Sequence, residues 1–534
     1  MSETTPMNRW LVVVGALLIQ ICLGAIYAWS VFTPGLTATQ PRQFAAMYSA
    51  RQLGIDQEKF NAMDQELETP QAKLKKTAAQ LQGTLAKLEG TLAKLEGTTD
   101  TARKEELEEE RDRLQKQKEE LEDEKEELED EIDSVVRDYV PAENLKQLKY
   151  GFSKEKSQWI FSVGLAFFAV VMVLAGRMMP RTGPRALATL GGITLGIGYM
   201  LAGLFGGQSF LLHLIFIGVV GGSGIGLAYV VPIAVAMRWF PDKKGLITGL
   251  AVAGFGFGAM GWVKIAGAWF DLIALLGLPT VFIIYGIAFL IICVVGAIWM
   301  VFPPEGWKPA GWTPPEPNTA SGPAAGTVNF TSGEMLRTPQ FYMIVLVFAF
   351  SAGAGLMSIG LMKLFPSMAL IQGGMDAVKA SAVAGTAMAV FFSLANGIGR
   401  IAWGAMSDLL GRKNSIVVMC ATQGLFVLLF TSMASNPWLL YLGATLIGFN
   451  FGGNFALFPT ITADTFGAKF VGQNYGWVFL AYGVGGIFGP VMGGKLGDQG
   501  NFPLAFTICG VLCLVAAVIA ALVKPATKAA TAEE

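Results

Sequence analysis

Histidine occurs once in these 534 residues, cysteine five times, and charged residues make up only 15% of the chain. Each scarcity excludes something. All five cysteines (Cys22, Cys293, Cys420, Cys509 and Cys513) fall in apolar runs, which excludes a secreted disulfide framework. The lone histidine, His213, stands at the outer start of an apolar run, where it is expected to meet interfacial water rather than relay protons. Soluble chains carry about 25% charged residues, and no segment here is a basic domain, so a soluble enzyme and a nucleic-acid binder are both excluded. The apolar run from Leu11 continues well past signal-peptide length. It keeps Tyr27, Trp29 and Phe32 where cleavage needs small residues, so no cleavable signal is expected. Neither a cofactor nor a metal site is expected.

The charge that exists is concentrated. Residues 51–150 hold 27 of the 40 acids and 17 of the 39 bases, leaving 13 acids and 22 bases for the other 434 residues. Lipid is the solvent that suits such a remainder. About 20 apolar residues cross the hydrocarbon core, and twelve runs qualify. They are 9–32, 157–178, 185–205, 211–237, 245–269 and 280–302, then 341–361, 381–404, 415–433, 438–460, 472–494 and 503–523. Alternate short loops carry the bases: Arg177, Arg181 and Arg185; Arg238, Lys243 and Lys244; Lys308 and Arg337; Arg412 and Lys413; Lys469. The preference for positive loops inside makes these cytoplasmic, together with both termini, and places the charged segment outside. The expected domains are a first helix within 1–33, an extracytoplasmic insert at 41–156, and the rest of the first half at 157–302. A Pro- and Gly-rich cytoplasmic linker follows at 303–338 (Pro314, Pro315, Pro317, Pro323), then the second half at 339–523 and a cytoplasmic tail at 524–534 with Lys524 and Lys528. The expectation is an all-α, multi-pass protein of the plasma (inner) membrane.

An internal repeat organises the spans. Pro232 and Pro459 are 227 residues apart, and Gly245, Gly249, Gly256 and Gly258 match Gly472, Gly476, Gly483 and Gly485 at that offset. Gly176 and Gly183 match Gly404 and Gly411 at 228. Two parallel six-helix halves joined by a linker resemble the major facilitator superfamily. The string Gly404-Ala-Met-Ser-Asp408-Leu-Leu-Gly411-Arg412-Lys413 is similar to that superfamily's signature. There Gly404 permits close helix approach and Asp408 pairs with bases, latching one bundle to its neighbour. The first-half copy, from Gly176 through Pro180 and Arg181 to Gly183, has no aspartate. Gly254-Phe-Gly256-Phe-Gly258 lies inside an apolar span with no preceding strand, and is read as helix packing rather than a phosphate loop.

Within the superfamily, Asn8-Arg9-Trp10 through Gly24-Ala-Ile-Tyr27-Ala-Trp29 resembles the first helix of the oxalate–formate antiporter family. So do Tyr229-Val-Val-Pro232, the run Arg238-Trp-Phe-Pro-Asp-Lys-Lys-Gly245, Gly448-Phe-Asn450 through Asn454-Phe455, and Asn474-Tyr475-Gly476. The resemblance implies small carboxylates as substrates, as in the related monocarboxylate porters.

The residues argue for a site as well. Arg400 lies well inside an apolar helix, where a charge costs about 2.5–3.5 kcal/mol, and no carboxylate lies in the interior of any of the twelve runs. An anion is its natural partner, and a planar guanidinium suits a carboxylate; the alternative is snorkelling to the cytoplasmic interface. The resemblance implies the same role for Arg400. It also implies a second cation where this chain has Tyr482. One fixed cation favours a short monocarboxylate (lactate, formate, acetate or pyruvate) over the dianion oxalate, unless Tyr482 merely packs between helices. Tyr27, Tyr229 and Asn454 are expected to complete a hydrogen-bonding cage. Asn396, one turn before Arg400, stands where related proton symporters carry an aspartate, so either antiport or a proton carried with the substrate is expected.

In the insert, Leu67, Leu74, Leu81, Leu88 and Leu95 recur every seven residues, with Leu85 and Leu92 in the companion register. Gly83-Thr-Leu-Ala-Lys-Leu-Glu89 is repeated in full from Gly90. After Gly97-Thr-Thr-Asp100 a second series runs Leu107, Leu114, Leu121, Leu128, Val135, while Arg111, Lys118 and Lys125 occupy its companion register. Two heptad seams around a turn predict a coiled-coil hairpin. It is either a solvated appendage or a docking site for a protein partner, and its removal is expected to leave transport largely intact. A carrier-fold sensor or scaffold that holds out this hairpin is the reading from another class.

Overall fold

The computed structural model describes residues 7–97, 100–267, 269–313, 328–362, 364–373, 375, 377–524 and 526. The linker prolines Pro314, Pro315, Pro317 and Pro323, the hairpin turn at 98–99, and Lys528 lie outside them. Every regular element among the described residues is helical. In chain order the elements used below are α1 (Trp10–Thr37), α2 (Gln57–Gly97), α3 (Thr101–Tyr139), α4 (Lys154–Thr182), α5 (Pro184–Phe205), α6 (Phe210–Trp239), α7 (Lys244–Ala266) and α8 (Leu272–Ala297). After the linker come α9 (Pro339–Leu361), α10 (Leu364–Gln372), α11 (Ala377–Thr386), α12 (Ser393–Leu410), α13 (Arg412–Met433), α14 (Pro437–Phe466), α15 (Val471–Asp498) and α16 (Phe502–Leu522).

Eleven helices among the described residues are long and apolar enough to cross a membrane, with Ala382–Leu410 counted as one. The tenth expected run, 438–460, falls in α14, which is not among the eleven. Asn450 and Asn454, with Gly443, Gly448, Gly452 and Gly453, lower its hydropathy although its length is ample. Two ends also move. Helix α12 continues past Gly404 to Leu410, and α8 begins eight residues before the expected Thr280, across a break at Gly277 (φ +75).

Glycines decide where helices stop and how closely they pack. Gly183 (φ +78) and Gly411 (φ +84) end α4 and α12 in left-handed conformations that a side chain would resist. A Cβ on Gly404 would lie 2.3 Å from the carbonyl oxygen of Gly245, and one on Gly176 would lie 2.3 Å from that of Gly472. The two contacts join α12 to α7 and α4 to α15. They therefore exchange the partners of the 227–228-residue repeat, as a two-fold relation between the two groups of helices requires.

The hairpin corrects one detail of the heptad reading. Leu67 and Leu88 are buried in its seam and face Leu107, Leu114, Leu121 and Leu128. The companion register, however, is Thr77, Thr84 and Thr91, which are buried, whereas Leu92 is 43% exposed. Threonines leave room along the seam for the half-buried stems of Arg111, Lys118 and Lys125. The base of the hairpin closes over Phe44, Tyr48 and Leu53 with Met63, Ile132, Val136 and Val140. Arg42 there pairs with the buried Asp133 and with Glu129 at 2.6 Å, and burial pushes the Tyr48 phenol up to about 12.

Candidate functional site

Arg400 sits on α12 where the two groups of helices meet, and it is 1% exposed. Its backbone carbonyl would lie 2.1 Å from a Cβ on Gly249, so α7 and α12 touch backbone to backbone at this level. The guanidinium is held on both sides. Nη1 donates to the carbonyl of Val252 on α7 at 2.9 Å, and Nε donates to Asn396 Oδ1 at 3.2 Å. The ring of Phe455 from α14 lies 4.1 Å from the guanidinium carbon, and Phe255 from α7 lies at 6.0 Å. Among the described residues no carboxylate pairs with Arg400, and Nη2 has no hydrogen-bond partner.

Tyrosines close the rest of the surroundings. Tyr27 lies in a 3-10 turn, Gly24–Ala28, within α1. That turn presses on α7, because a Cβ on Gly24 would meet the carbonyl oxygen of Phe255 at 2.1 Å. The Tyr27 hydroxyl hydrogen-bonds that of Tyr482 on α15. Tyr482 in turn stacks on Phe479 (5.2 Å between centroids) and meets Phe455 edge-on (5.4 Å). Tyr229 on α6 packs against Phe168, Phe255 and Phe479 at 5.0–5.5 Å. Four tyrosines, Tyr229, Tyr27, Tyr482 and Tyr475, are within electrostatic reach of the guanidinium.

The expected residues therefore fall into two sets. Arg400, Asn396, Tyr27, Tyr482 and Tyr229 form one aromatic-walled cluster. Asn454 is tied to its own helix, with Nδ2 donating to the carbonyl of Phe451 at 3.0 Å, while its Oδ1 is buried without a partner among the described residues. Sequence reasoning missed Phe255, Phe455 and Phe479, which line the cluster, and Tyr475, whose buried hydroxyl also has no partner among the described residues. Tyr475 follows Asn474 and Phe455 follows Asn454 in the family-like strings, but neither carries a spacing signal. Asn474 acts elsewhere, binding Phe330 and Ser332 at the end of the linker through its side chain. His213 is corrected too. It is 1% exposed, ringed by Tyr150, Phe152 and Phe282, rather than placed in interfacial water.

At one end of the bundle lies a charged network. Asp408 accepts the first amides of α7, from Gly245 (2.9 Å) and Leu246 (2.8 Å), where an anion suits a helix N-terminus. Arg412 binds both Asp408 and Asp464, and Lys244 reaches Asp464 at 2.9 Å. Gly411 supplies the turn that brings Arg412 back onto Asp408. Among the described residues the repeat-related contact has no such acids: Met179 packs on Gly472, and Arg177 stacks on Trp477 at 5.2 Å.

Known proteins agree with this architecture. The family model of the Major Facilitator Superfamily matches residues 139–391 and 365–534. The chain is 29% identical over 335 residues to the uncharacterized MFS-type transporter YhjX of Escherichia coli, covering 62% of this chain and 77% of the relative. It is 27% identical over 365 residues to the oxalate:formate antiporter of Oxalobacter formigenes, covering 68% and 80%. Monocarboxylate transporter 12-B of Danio rerio is 24% identical over 341 residues, covering 61% and 70%.

Proposed function

Because the chain belongs to the Major Facilitator Superfamily, we propose that it is a secondary carrier of small organic anions, chiefly short monocarboxylates, working by alternating access. One observation carries this reading: Arg400 is a buried guanidinium without a carboxylate partner among the described residues, in an aromatic enclosure between the two groups of helices. The Val252 carbonyl, Asn396 and the Phe455 ring solvate the guanidinium without neutralising it, and a ligand anion supplies the missing countercharge. Tyr482 stands where a second cation would serve a dianion, so one carboxylate is the natural load. The names of two relatives, an oxalate:formate antiporter and a monocarboxylate transporter, support the carboxylate class.

The remaining assignments belong to the same proposal. Helix α14 is taken as the twelfth span, packed between α12 and α13. Residues 1–33 with 157–302, and residues 339–523, form the two halves, with 41–156 inserted into the first. The basic loops put the Asp408 network, the linker and both termini in the cytoplasm, and the hairpin outside. Gly404, Asp408, Gly411 and Arg412 form the latch that closes the cytoplasmic side. The protein works as an antiporter or carries the proton with its substrate.

Uptake of labelled lactate, pyruvate, formate, acetate and oxalate into proteoliposomes, with and without a pH gradient, tests the proposal. Saturable uptake of a monocarboxylate supports it. Uptake of oxalate ahead of every monoanion would move the protein to the oxalate–formate alternative. Absence of any carboxylate uptake would leave the sensor or scaffold reading.

A further inference from the structure

The outer face of α2 is built from small residues and is not idle. Ala79, Gly83, Ala86 and Gly90 recur at spacings of four, three and four, which places them on one side of the helix. This side is separate from the leucine and threonine seam that meets α3. Ala86 is 4% exposed and belongs to the same buried cluster as the membrane-type helices, and Ala79 packs against that cluster. Besides α3 and the short helix at Ala50–Leu53, α2 meets α10 and α11, both from the second group of helices. At the far end of this face, a Cβ on Gly90 would lie 4.0 Å from Gln372 Nε2 on α10.

The base of the hairpin is rooted in the first group instead. The amide of Ser49 donates to the carbonyl of Ala274 (3.0 Å), Gln52 Nε2 to that of Leu275 (3.3 Å), and Gln208 Nε2 to that of Lys146 (2.8 Å). Ile273 packs into the cluster at the base. One rigid hairpin thus touches both groups, at the end of the bundle opposite the Asp408 network. Rocking of the two halves about a central site changes the separations at the two ends in opposite senses. The contact between α2 and α10–α11 therefore belongs to a particular state of the carrier.

We propose that the hairpin is a brace across the outer face. Its Ala79–Gly90 surface seats on the outer end of the second half while the cytoplasmic latch is shut, and must leave that seat for the protein to open inward. The proposal rests on the carrier reading, and it reverses the expectation that the insert is dispensable.

The test uses the full chain with Gly90→Cys and Gln372→Cys, joined by a short bifunctional thiol reagent. The five native cysteines are buried, so the reagent acts on the introduced pair. The pair should cross-link, uptake should fall at least tenfold, and a cleavable linker should restore it on reduction. Full-rate uptake by the cross-linked protein would overturn the brace, and so would a failure to cross-link in folded protein. A second arm adds Asp408→Asn, which loosens the opposite end: cross-linking should slow severalfold, and an unchanged rate also counts against the brace. Since this arm needs no substrate, a protein that moves no carboxylate would refute the carrier's load while the brace is still judged on its own.

Discussion

The hydroxyls of Tyr27 and Tyr482 hydrogen-bond to each other where the two groups of helices meet, one from the 3-10 turn of α1 and the other from α15. The pair closes the enclosure beside Arg400 with groups that can each donate or accept. It can therefore rearrange around a small anion without leaving a charge unpaired, which a lysine at 482 would not allow. If the two hydroxyls act as a unit, Tyr27→Phe and Tyr482→Phe should each lower substrate affinity by a few-fold, in line with a net hydrogen-bond contribution of about 0.5–1.5 kcal/mol. The double variant should be no worse than the poorer single one. Additive losses in a binding titration would mean that the hydroxyls work separately.

Arg400→Ala should abolish saturable uptake, with affinity falling by at least ~30-fold, since removing one partner of a desolvated charge pair costs about 2–5 kcal/mol. Arg400→Lys should recover little, because an ammonium cannot reproduce the planar fork that also binds Val252 and Asn396. Near-normal uptake in Arg400→Lys would show that point charge alone suffices.

Tyr482→Lys places a second cation beside the first. Competition against a transported label should then shift from lactate and acetate towards oxalate, because the added charge is unpaired unless a dianion fills the site. An unaltered competition order would make residue 482 a packing residue only.

Asn396→Asp puts a titratable group where Arg400 Nε already donates. Ionised, this aspartate would compete with the substrate for the guanidinium; protonated, it would resemble asparagine. Uptake should therefore fall as pH rises, more steeply than in wild type. A pH profile that superimposes on wild type would remove this position from the coupling mechanism.

Asp408→Asn weakens the network on Arg412 and lowers the negative charge at the start of α7. Thr248, fully buried on α7, reports the result. In a Thr248→Cys background, alkylation from the cytoplasmic side should accelerate severalfold when Asp408 is replaced, as the inward-open population grows. No acceleration would mean that the carboxylate caps the helix without latching the halves.

Much of this was legible because it depends on local spacing. The apolar runs, the leucine heptads, and Arg400 with Asn396 one turn away follow from positions along one helix, and the matched glycines from a repeat at a fixed offset; which glycines touch came only with the packing. The aromatic wall was not legible. The chain has 36 phenylalanines, and only tertiary packing selects Phe255, Phe455 and Phe479 from them. The threonine register escaped for a related reason: Leu85 and Thr84 both sit at seam-compatible spacings, and the cationic stems of α3 decide between them. The seating of α2 on the second half joins residues almost 300 positions apart, where no single-helix pattern reaches.

The duplicated heptad in α2 has a mechanical consequence. Gly83 through Glu89 and Gly90 through Glu96 are the same seven residues, so a shift of the second half by one heptad along α2, about 10.5 Å, would meet a chemically identical footing while the base stays rooted in the first group. The strut thus carries two equivalent notches, one heptad apart.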